Sequence, residues 1–319
     1  MGQRSERSSK GMPAGLKIPI VAIPVIILGA LLPTFSSTAR LIVLSARGRT
    51  YQCSLAKALD AERLGDDRAR RRVAIKASAK LLQSDDEFNL WQTRDGDFWI
   101  PKRNTDALIF NLSEEEQDVY GQGAIGVRSG DVVLDGGANV GVFTRKALNA
   151  GARTVIAIEP APENVETLRR NFATEIASGR VVLQPVGLWN QPSELPLNVN
   201  GDNSARDSFV LDPGARVSTV MVPLRTIDSL VETLALSRVD FIKLDIEGAE
   251  KKALAGARQT LNRFHPRLAI AMEHLTDDPI AIPAAINSMG LNYITVCGPC
   301  FGNGISVRPD TLYFTPRSD

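Results

Sequence analysis

From residue 130 onward, short runs of consecutive apolar residues alternate with segments whose apolar residues recur at helical spacing. Strands that are apolar throughout are typical of parallel sheets covered on both faces, because neither side of the strand meets water. The pattern therefore predicts an α/β fold with a doubly wound, mostly parallel sheet. The predicted strands are 132–134, 154–158, 181–186, 239–244, 268–272, 293–296 and 311–314, and the predicted helices are 140–149, 162–174, 226–236, 249–262 and 280–289.

Weaker patterns precede and interrupt this alternation. Two apolar runs, 88–91 and 97–100, flank an Asp-Gly pair and predict a β-hairpin. Ser113 is followed three residues later by a glutamate, an N-cap pattern that predicts a helix ending near Tyr120. Proline, glycine and asparagine break the rhythm over 191–222, which predicts hairpins and loops near the rim of a site.

An uncharged, largely apolar segment spans residues 18–39. About 20 helical residues cross a bilayer core, so we predict an N-terminal hydrophobic helix with membrane contact through residues 18–44. Small residues at 37–39 leave a cleaved signal peptide as one alternative, and a buried or interfacial segment is the other. We expect a membrane-anchored chain, and a cytoplasmic cofactor would favour a cytoplasmic catalytic domain. The expected parts are a tail and membrane anchor at 1–50, a charged helical spacer at 51–85 and the catalytic domain at 86–319.

The chain has 319 residues and a net charge of +1, from 37 basic and 36 acidic side chains. So balanced a charge gives no support to nucleic acid as a partner. Three cysteines and two histidines are too scattered for a structural zinc site, and a domain of this size needs no disulfide scaffold. Cys297 and Cys300 have the spacing of a redox motif, but a glycine-rich loop follows them, so we interpret them as thiols in a turn.

The first strand of the predicted sheet runs into a glycine-rich turn, and the second ends at an acidic residue. Ligands of open α/β sheets bind beyond the carboxyl ends of the strands, where glycine lets them approach the backbone. A carboxylate at the end of the second strand suits the two hydroxyls of a ribose. The predicted cofactor-binding residues are Asp135, Gly136, Gly137, Ala138, Asn139, Gly141, Glu159 and Pro160.

The charges around this turn indicate which nucleotide it binds. No lysine or arginine occurs over 130–144, and Asp135 stands at the mouth of the turn. A carboxylate repels a pyrophosphate but suits S-adenosylmethionine, which carries an ammonium and a sulfonium and no phosphate. We therefore predict S-adenosylmethionine as the cofactor. NAD, and a turn that only packs a helix against a strand, are the alternatives.

Candidate catalytic residues follow two later strands. Asp245 ends one strand and His274 the next, so both should face the same crevice. Methyl transfer to a hydroxyl requires the acceptor oxygen to be aligned with the methyl group and to lose its proton. We predict that His274 is the general base, that Asp245 orients the acceptor, and that Glu250 is a third catalytic residue or a helix N-terminal carboxylate. The acids here give no readable metal ligand set, so a divalent cation is possible but not supported.

Four segments resemble the FkbM family of methyltransferases: residues 130–141 (GDVVLDGGANVG), 157–160 (AIEP), 226–230 (TIDSL) and 239–250 (VDFIKLDIEGAE). The resemblance runs from roughly Phe98 to Thr295, well over half the chain, and its strongest block is the last segment. It implies the seven-stranded class I methyltransferase sheet, a Rossmann-like fold, and O-methylation as the activity. Gly136 departs from the family pattern, which often has a larger residue there.

The predicted function is therefore S-adenosylmethionine-dependent methylation of a hydroxyl on a sugar, a glycan or another small metabolite. Two alternatives stay open. One is an NAD-dependent oxidoreductase or epimerase on the same kind of sheet. The other is a membrane-tethered binding module without catalysis, although the presence of Asp135, Glu159 and Asp245 speaks against a degenerate site.

Overall fold

A computed structural model describes residues 37–121, 123–200, 206–211, 217–302 and 305–317 of the chain. The α-helices within them are α1 (Ser37–Ala46), α2 (Leu55–Ser78), α3 (Thr105–Glu115), α4 (Val142–Asn149), α5 (Pro162–Asn171), α6 (Ala173–Ala177), α7 (Ile227–Thr233), α8 (Glu250–Ala255), α9 (Arg258–Phe264) and α10 (Asp278–Asn287). The strands are β1 (Lys80–Ser84), β2 (Phe88–Thr93), β3 (Gly96–Pro101), β4 (Val132–Gly136), β5 (Thr154–Ile158), β6 (Val181–Gln184), β7 (Gly187–Leu188), β8 (Ser193–Asn200), β9 (Val217–Arg225), β10 (Phe241–Leu244), β11 (Arg267–Ala271), β12 (Tyr293–Cys297), β13 (Cys300–Gly302), β14 (Val307–Pro309) and β15 (Thr311–Pro316).

The central sheet has seven strands, in the order β12-β15-β11-β10-β4-β5-β6. Strand β4 pairs in parallel with β5 and β10, while β15 is antiparallel to both of its neighbours. The predicted doubly wound, mostly parallel sheet is confirmed. Because β4, β5 and β10 run side by side in one direction, their carboxyl ends lie together at one edge of the sheet.

Apolar side chains cover both faces of this sheet, which explains why its strands are apolar throughout. Leu134 and Ile156 pack into one core, and their chain neighbours Val133 and Val155 pack into the other. Each aliphatic side chain of this kind contributes about 1.5–3 kcal/mol when it is fully buried. The two cores hold β4 and β5 from both sides and so fix the positions of the residues that follow them.

Most of the predicted N-terminal hydrophobic helix, residues 18–36, lies outside the described residues. Among the residues that are described, no helix combines the length and the apolar character needed to cross a bilayer. The end of the predicted membrane contact falls in α1, where Leu41 and Leu44 are buried in a cluster with Cys53 and Cys300. These two leucines therefore pack against protein, so the prediction that they contact a membrane is not supported.

The predicted charged spacer forms helix α2, but this helix is held against the domain. Arg68 of α2 pairs with Glu114 of α3 at 3.3 Å and with Asp310, before β15, at 2.5 Å. A disulfide also joins Cys53, just before α2, to Cys300 in β13. The interpretation of Cys300 as a thiol is wrong because its partner lies 247 residues away in the sequence, where spacing gives no signal.

The prediction of a helix that starts at Ser113 is also wrong. Helix α3 ends just after Ser113, and the Ser113 hydroxyl donates to the carbonyl of Phe110 at 2.7 Å. A serine in the last turn of a helix bonds backward in this way, and the glutamate after it then only imitates an N-terminal box. The predicted hairpin is confirmed as β2 and β3, and β1 adds a third strand to it.

Two other regions refine the predictions. The segment 191–222 contains the predicted hairpin architecture as a long antiparallel pair of β8 and β9. The single helix predicted over 249–262 is divided into α8 and α9 at Gly256. There the backbone packs so closely that a β-carbon on Gly256 would lie 2.3 Å from the carbonyl oxygen of Trp189.

Candidate active site

A pocket opens at the carboxyl edge of the sheet, beyond the ends of β4, β5 and β10, and it encloses about 840 Å³ of space that is partly open to solvent. Its walls come from the glycine turn after β4, the segments after β5 and β10, helix α3 and the β7 region. The residues that line it include Asn111, Glu114, Glu115, Tyr120, Glu159, Asp207, Phe209, Lys243, Asp245 and Glu247, together with Gly137, Ala138, Asn139 and Pro160.

The glycine turn packs tightly against the neighbouring strand end. Gly137 has a φ of +76°, and a β-carbon there would lie 1.8 Å from the carbonyl oxygen of Asp245. Gly141 has a φ of +92°, and a β-carbon there would lie 2.2 Å from the ring of Phe172. Both positions require glycine, for backbone conformation and for space. The predicted turn residues 137–139 line the pocket, as the strand-end rule requires.

Asp135 does not lie where the sequence predicted. Its side chain is fully buried beneath the turn, and neither Asp135 nor Gly136 nor Gly141 lines the pocket. The hydroxyl of Thr144 donates to Asp135 Oδ2 at 2.6 Å, and Lys243 Nζ lies 3.2 Å from Oδ1. The carboxylate is therefore engaged within the protein and does not stand at the mouth of the turn.

Lys243 is one pocket residue whose role the sequence did not indicate. It comes from β10, and its Nζ donates to the carbonyl of Gly137 at 2.6 Å. Burial opposes its charge, but the carboxylates of Asp135 and Asp245 raise the pKa of Lys243. The absence of basic residues near the turn in the sequence was misleading, because this cation arrives from the adjacent strand. A lysine in the middle of an otherwise apolar strand was the available signal.

Glu159 lies in the wall of the pocket at the end of β5, as predicted. The backbone N–H of Asn139 donates to its Oε2 at 2.8 Å, and that of Ala161 donates to its Oε1 at 3.0 Å. Burial raises the pKa of Glu159. The side-chain amide of Asn164 also donates to Oε1, at 3.3 Å. A carboxylate offers about four acceptor positions, so these three bonds leave capacity for a ligand hydroxyl on Oε2.

Among the charged side chains that line the pocket, acids outnumber bases. Six of the lining side chains in the described part of the chain are carboxylic acids, and one is a lysine. Arg68 pairs with Glu114 at 3.3 Å and Lys146 with Glu115 at 2.8 Å, both from outside the pocket. The remaining lining acids are Glu159, Asp207, Asp245 and Glu247; Lys243 is the lysine among the described lining residues, and His274 lies behind Asp245 and Glu247 at 3.4 and 3.5 Å.

The structure brings together the three predicted catalytic residues. His274 Nδ1 lies 2.9 Å from Glu250 Oε1, and its Nε2 lies 3.4 Å from Asp245 Oδ1. Glu247 Oε1 lies 3.5 Å from the same Nε2. Asp245 and Glu247 line the pocket, whereas Glu250 is fully buried behind His274. Glu250 therefore positions the imidazole and does not itself face the pocket.

Tyr120 is a second residue that the sequence did not indicate. Its hydroxyl donates to Asp245 Oδ2 at 2.6 Å, and burial together with Asp245 raises the pKa of Tyr120 well above its ordinary value. Tyr120 follows α3, far from the sheet in sequence, and nothing in its local pattern points to a site. Its hydroxyl fixes the orientation of the Asp245 carboxylate at the pocket wall.

The charge state of His274 bears on its predicted role. Burial opposes protonation, but Glu250 and Glu247 raise the pKa of His274 well above its ordinary value. An imidazolium has no lone pair with which to accept a proton. The role of general base therefore stays a prediction, and it requires that ligands entering the pocket first shift His274 to its neutral form.

Asp207 provides a test of the pocket through pH. Burial raises the pKa of Asp207 from its ordinary 3.8 to about 8. Between these values the folded chain holds a proton on Asp207 that the unfolded chain has lost, so this residue's contribution to stability falls as pH rises and levels off above about 8. We expect Asp207→Asn to remove this part of the pH dependence.

Urea unfolding of the wild type and of Asp207→Asn, compared from about pH 5 to about pH 9, measures that difference directly. Groups common to both proteins cancel in the comparison. A stability difference that does not change over this range would mean that Asp207 titrates normally and that the pocket around it is well solvated.

Comparisons with known proteins bear on the chemistry of this site. Residues 135–291 match the family model described as the Methyltransferase FkbM domain. Over 215 residues the chain is 26% identical to the 31-O-demethyl-FK506 methyltransferase FkbM of Streptomyces tacrolimicus, covering 57% of this chain and 80% of that protein. Over 211 residues it is 28% identical to the hexuronic acid methyltransferase AglP of Haloferax volcanii, covering 65% and 74% of the two chains.

Among solved structures, the chain is similar to that of Methyltransferase FkbM from Methylobacillus flagellatus KT. The TM-score is 0.46 and the sequence identity 21%, over 66% of this chain and 52% of that one. The matched family region contains the glycine turn, Glu159, Asp245 and His274. Much of the wall of the pocket at the sheet edge therefore lies within the region that matches the methyltransferase family model.

Proposed function

We propose that this chain, whose residues 135–291 form a methyltransferase FkbM domain, transfers the methyl group of S-adenosylmethionine to a hydroxyl of a small acceptor. The acceptor class is a sugar, a glycan or another small metabolite. The NAD-dependent alternative is not favoured, because the domain match is to methyltransferases. A binding module without catalysis is opposed by the acidic groups gathered around a well-formed pocket.

The observation that carries the proposal is the charge of the pocket. Among the lining residues that the structure describes, Glu159, Asp245 and Glu247 are carboxylates, whereas Asp207, with a pKa of about 8, keeps its proton at neutral pH. The cationic groups beside them are Lys243, which lies 3.2 Å from buried Asp135, and His274, which lies 3.4 Å from Asp245 and 3.5 Å from Glu247, so acids still outnumber bases around the pocket. Such a surface disfavours a pyrophosphate and favours a cation. S-adenosylmethionine carries an ammonium and a sulfonium and no phosphate, so its charge matches the pocket. This match does not depend on Asp135, and it replaces the reasoning that placed Asp135 at the mouth of the turn.

The predicted cofactor residues that line the pocket fit such a ligand. The backbone of Gly137, Ala138 and Asn139 forms a surface without bulky side chains at the end of β4. Glu159 retains acceptor capacity on Oε2 for a ribose hydroxyl, and Pro160 adds an apolar wall beside it. When bound, S-adenosylmethionine supplies an activated methyl group. The protein's contribution is to hold the donor and the acceptor in line.

The acceptor side of the pocket is formed by different residues. Asn111, Tyr120 and Phe209 line the pocket and offer two hydrogen-bonding groups and an aromatic face, and Tyr120 contacts Asp245. This composition suits a hydroxylated ring. The names of the relatives support an oxygen acceptor, since one is a 31-O-demethyl-FK506 methyltransferase and another a hexuronic acid methyltransferase. We propose that Asp245 holds the acceptor hydroxyl and that His274 receives its proton when neutral.

Replacing Glu159 by glutamine is the most direct test of the donor site. The amide keeps the shape of the side chain but loses the charge that would accept bonds from the ribose. Hydrogen bonds to a charged group are worth about 1.5–3 kcal/mol, so we expect S-adenosylhomocysteine to bind at least about tenfold more weakly. Isothermal titration calorimetry of the full chain measures the affinity.

The matched control is Glu166→Gln on α5, because the Glu166 side chain is 42% exposed and lies outside the pocket. It should leave the affinity for S-adenosylhomocysteine unchanged. Tight binding of NAD with no binding of S-adenosylhomocysteine to the wild type would overturn the proposal. Equal affinity of Glu159→Gln and the wild type would show that the ribose lies elsewhere in the pocket.

A further inference from the structure

Three metal-ligating groups converge beside the proposed acceptor position. A carboxylate oxygen from Asp245, one from Glu247 and a ring nitrogen of His274 all lie within 4.8 Å of one another. Two of the three side chains line the pocket, so a cation held between them would be reachable from it. In the sequence, the candidate metal ligands were acids of one segment, the one that follows β10. The nitrogen ligand comes from His274, which follows a different strand, β11.

The imidazole is oriented as in metal sites. A histidine that ligates a metal through one nitrogen almost always donates its other N–H to a carboxylate or carbonyl. Here Glu250 Oε1 lies 2.9 Å from His274 Nδ1, and Glu250 is itself held by the backbone N–H of Ile246 at 2.9 Å. In the tautomer protonated on Nδ1, the lone pair of Nε2 points at Asp245 and Glu247.

The distances from His274 Nε2 to the two carboxylates are longer than those of direct ion pairs. Charge-assisted bonds between nitrogen and a carboxylate are typically about 2.7–2.9 Å long. The two carboxylate oxygens lie 3.4 and 3.5 Å from Nε2, although the His274 side chain is only 6% exposed. A buried ring nitrogen is thus directed between two carboxylates without a short bond to either, which is the arrangement that a bridging cation would occupy.

We propose that Asp245, Glu247 and His274 bind a divalent cation of the Mg²⁺ or Mn²⁺ type, which contacts the acceptor hydroxyl. The inference builds on the proposed function, because it assigns a task to the same pocket. Two carboxylates and one imidazole favour a hard, oxygen-preferring ion over a thiolate-type zinc site. Three protein ligands leave coordination positions open toward the pocket for an acceptor oxygen.

The cation would serve the reaction by acidifying the hydroxyl. The acceptor O–H loses its proton to solvent, and its oxygen forms a bond to the methyl carbon. The bond between carbon and sulfur breaks with its electron pair on sulfur, giving S-adenosylhomocysteine and the methyl ether. Binding of the cation requires neutral His274 as a ligand, because the cation and a proton compete for the lone pair of Nε2. Activation of this kind does not use His274 as the base, and it gives Glu247 a role in the site.

The test uses the full chain, stripped with EDTA and dialysed, and titrated with Mn²⁺ in the presence of S-adenosylhomocysteine. Loss of the free Mn²⁺ electron paramagnetic resonance signal measures binding. We expect one tight site, weakened at least about tenfold in Asp245→Asn and in His274→Gln. Glu232→Gln, an exposed acid on α7, is the matched control and should bind as the wild type does.

A second measurement does not depend on how well those variants fold. The chain has two histidines, so nitrogen modulation in the electron spin echo of bound Mn²⁺ that persists in His265→Gln assigns the ligand to His274. Absence of a tight Mn²⁺ site, or bound Mn²⁺ without nitrogen modulation, would overturn the cation site. Calorimetry with S-adenosylhomocysteine alone reports separately on the methyl-donor site, so the two proposals fail independently.

Discussion

Replacing Asp135 by alanine is expected to destabilise the fold by about 3–5 kcal/mol, because it leaves a buried ammonium without its partner. Asp135 is fully buried and Lys243 is 3% exposed, with 3.2 Å between the charged atoms. Thr144 would also lose the acceptor of its hydroxyl hydrogen bond. Urea unfolding of the purified variant, followed by circular dichroism, measures the loss.

A second change distinguishes this explanation from simple loss of packing. Adding Lys243→Met to Asp135→Ala removes the orphaned charge while keeping a side chain of similar length. We expect the double variant to be more stable than Asp135→Ala alone, since an apolar replacement of a buried ion pair is often nearly neutral. If Asp135→Ala keeps wild-type stability and only loses donor affinity, then Asp135 faces the cofactor, as the sequence had suggested.

This pair shows where sequence reasoning succeeded and where it stopped. The sheet was predictable because its strands are buried on both faces, as Leu134 and its neighbour Val133 illustrate. The positions of Glu159, Asp245 and His274 were predictable too, since parallel strands bring their carboxyl ends to one edge. Those inferences need only chain direction and periodicity, both of which are local properties of the sequence.

The partners of these residues were not predictable, because they depend on contacts across the sheet and between layers. Lys243 meets Asp135 only because β10 lies beside β4, and Tyr120 meets Asp245 only because Tyr120 packs into the core on one face of the sheet. The disulfide of Cys53 and Cys300 joins the two ends of the described chain for the same reason. A residue's type and spacing do not determine which distant group neutralises it.

Among substitutions that add a single methyl group to the chain, we expect Gly137→Ala to weaken cofactor binding the most. The new β-carbon would lie 1.8 Å from the carbonyl oxygen of Asp245, at a φ of +76°. The left-handed conformation costs a non-glycine residue about 1–2 kcal/mol, and the collision with backbone adds to it. Relief requires the turn to move away from β10, which displaces Gly137–Asn139 from the pocket wall.

We expect Gly137→Ala to lower the free energy of unfolding by more than about 4 kcal/mol and to abolish measurable binding of S-adenosylhomocysteine. Gly130→Ala is the matched control, because Gly130 has a φ of +86° but nothing within 4 Å of an added β-carbon. That variant should lose only the conformational cost of about 1–2 kcal/mol and bind the ligand normally. Equal losses in the two variants would mean that the contact between the glycine turn and Asp245 does not shape the site, since backbone strain alone would then explain both.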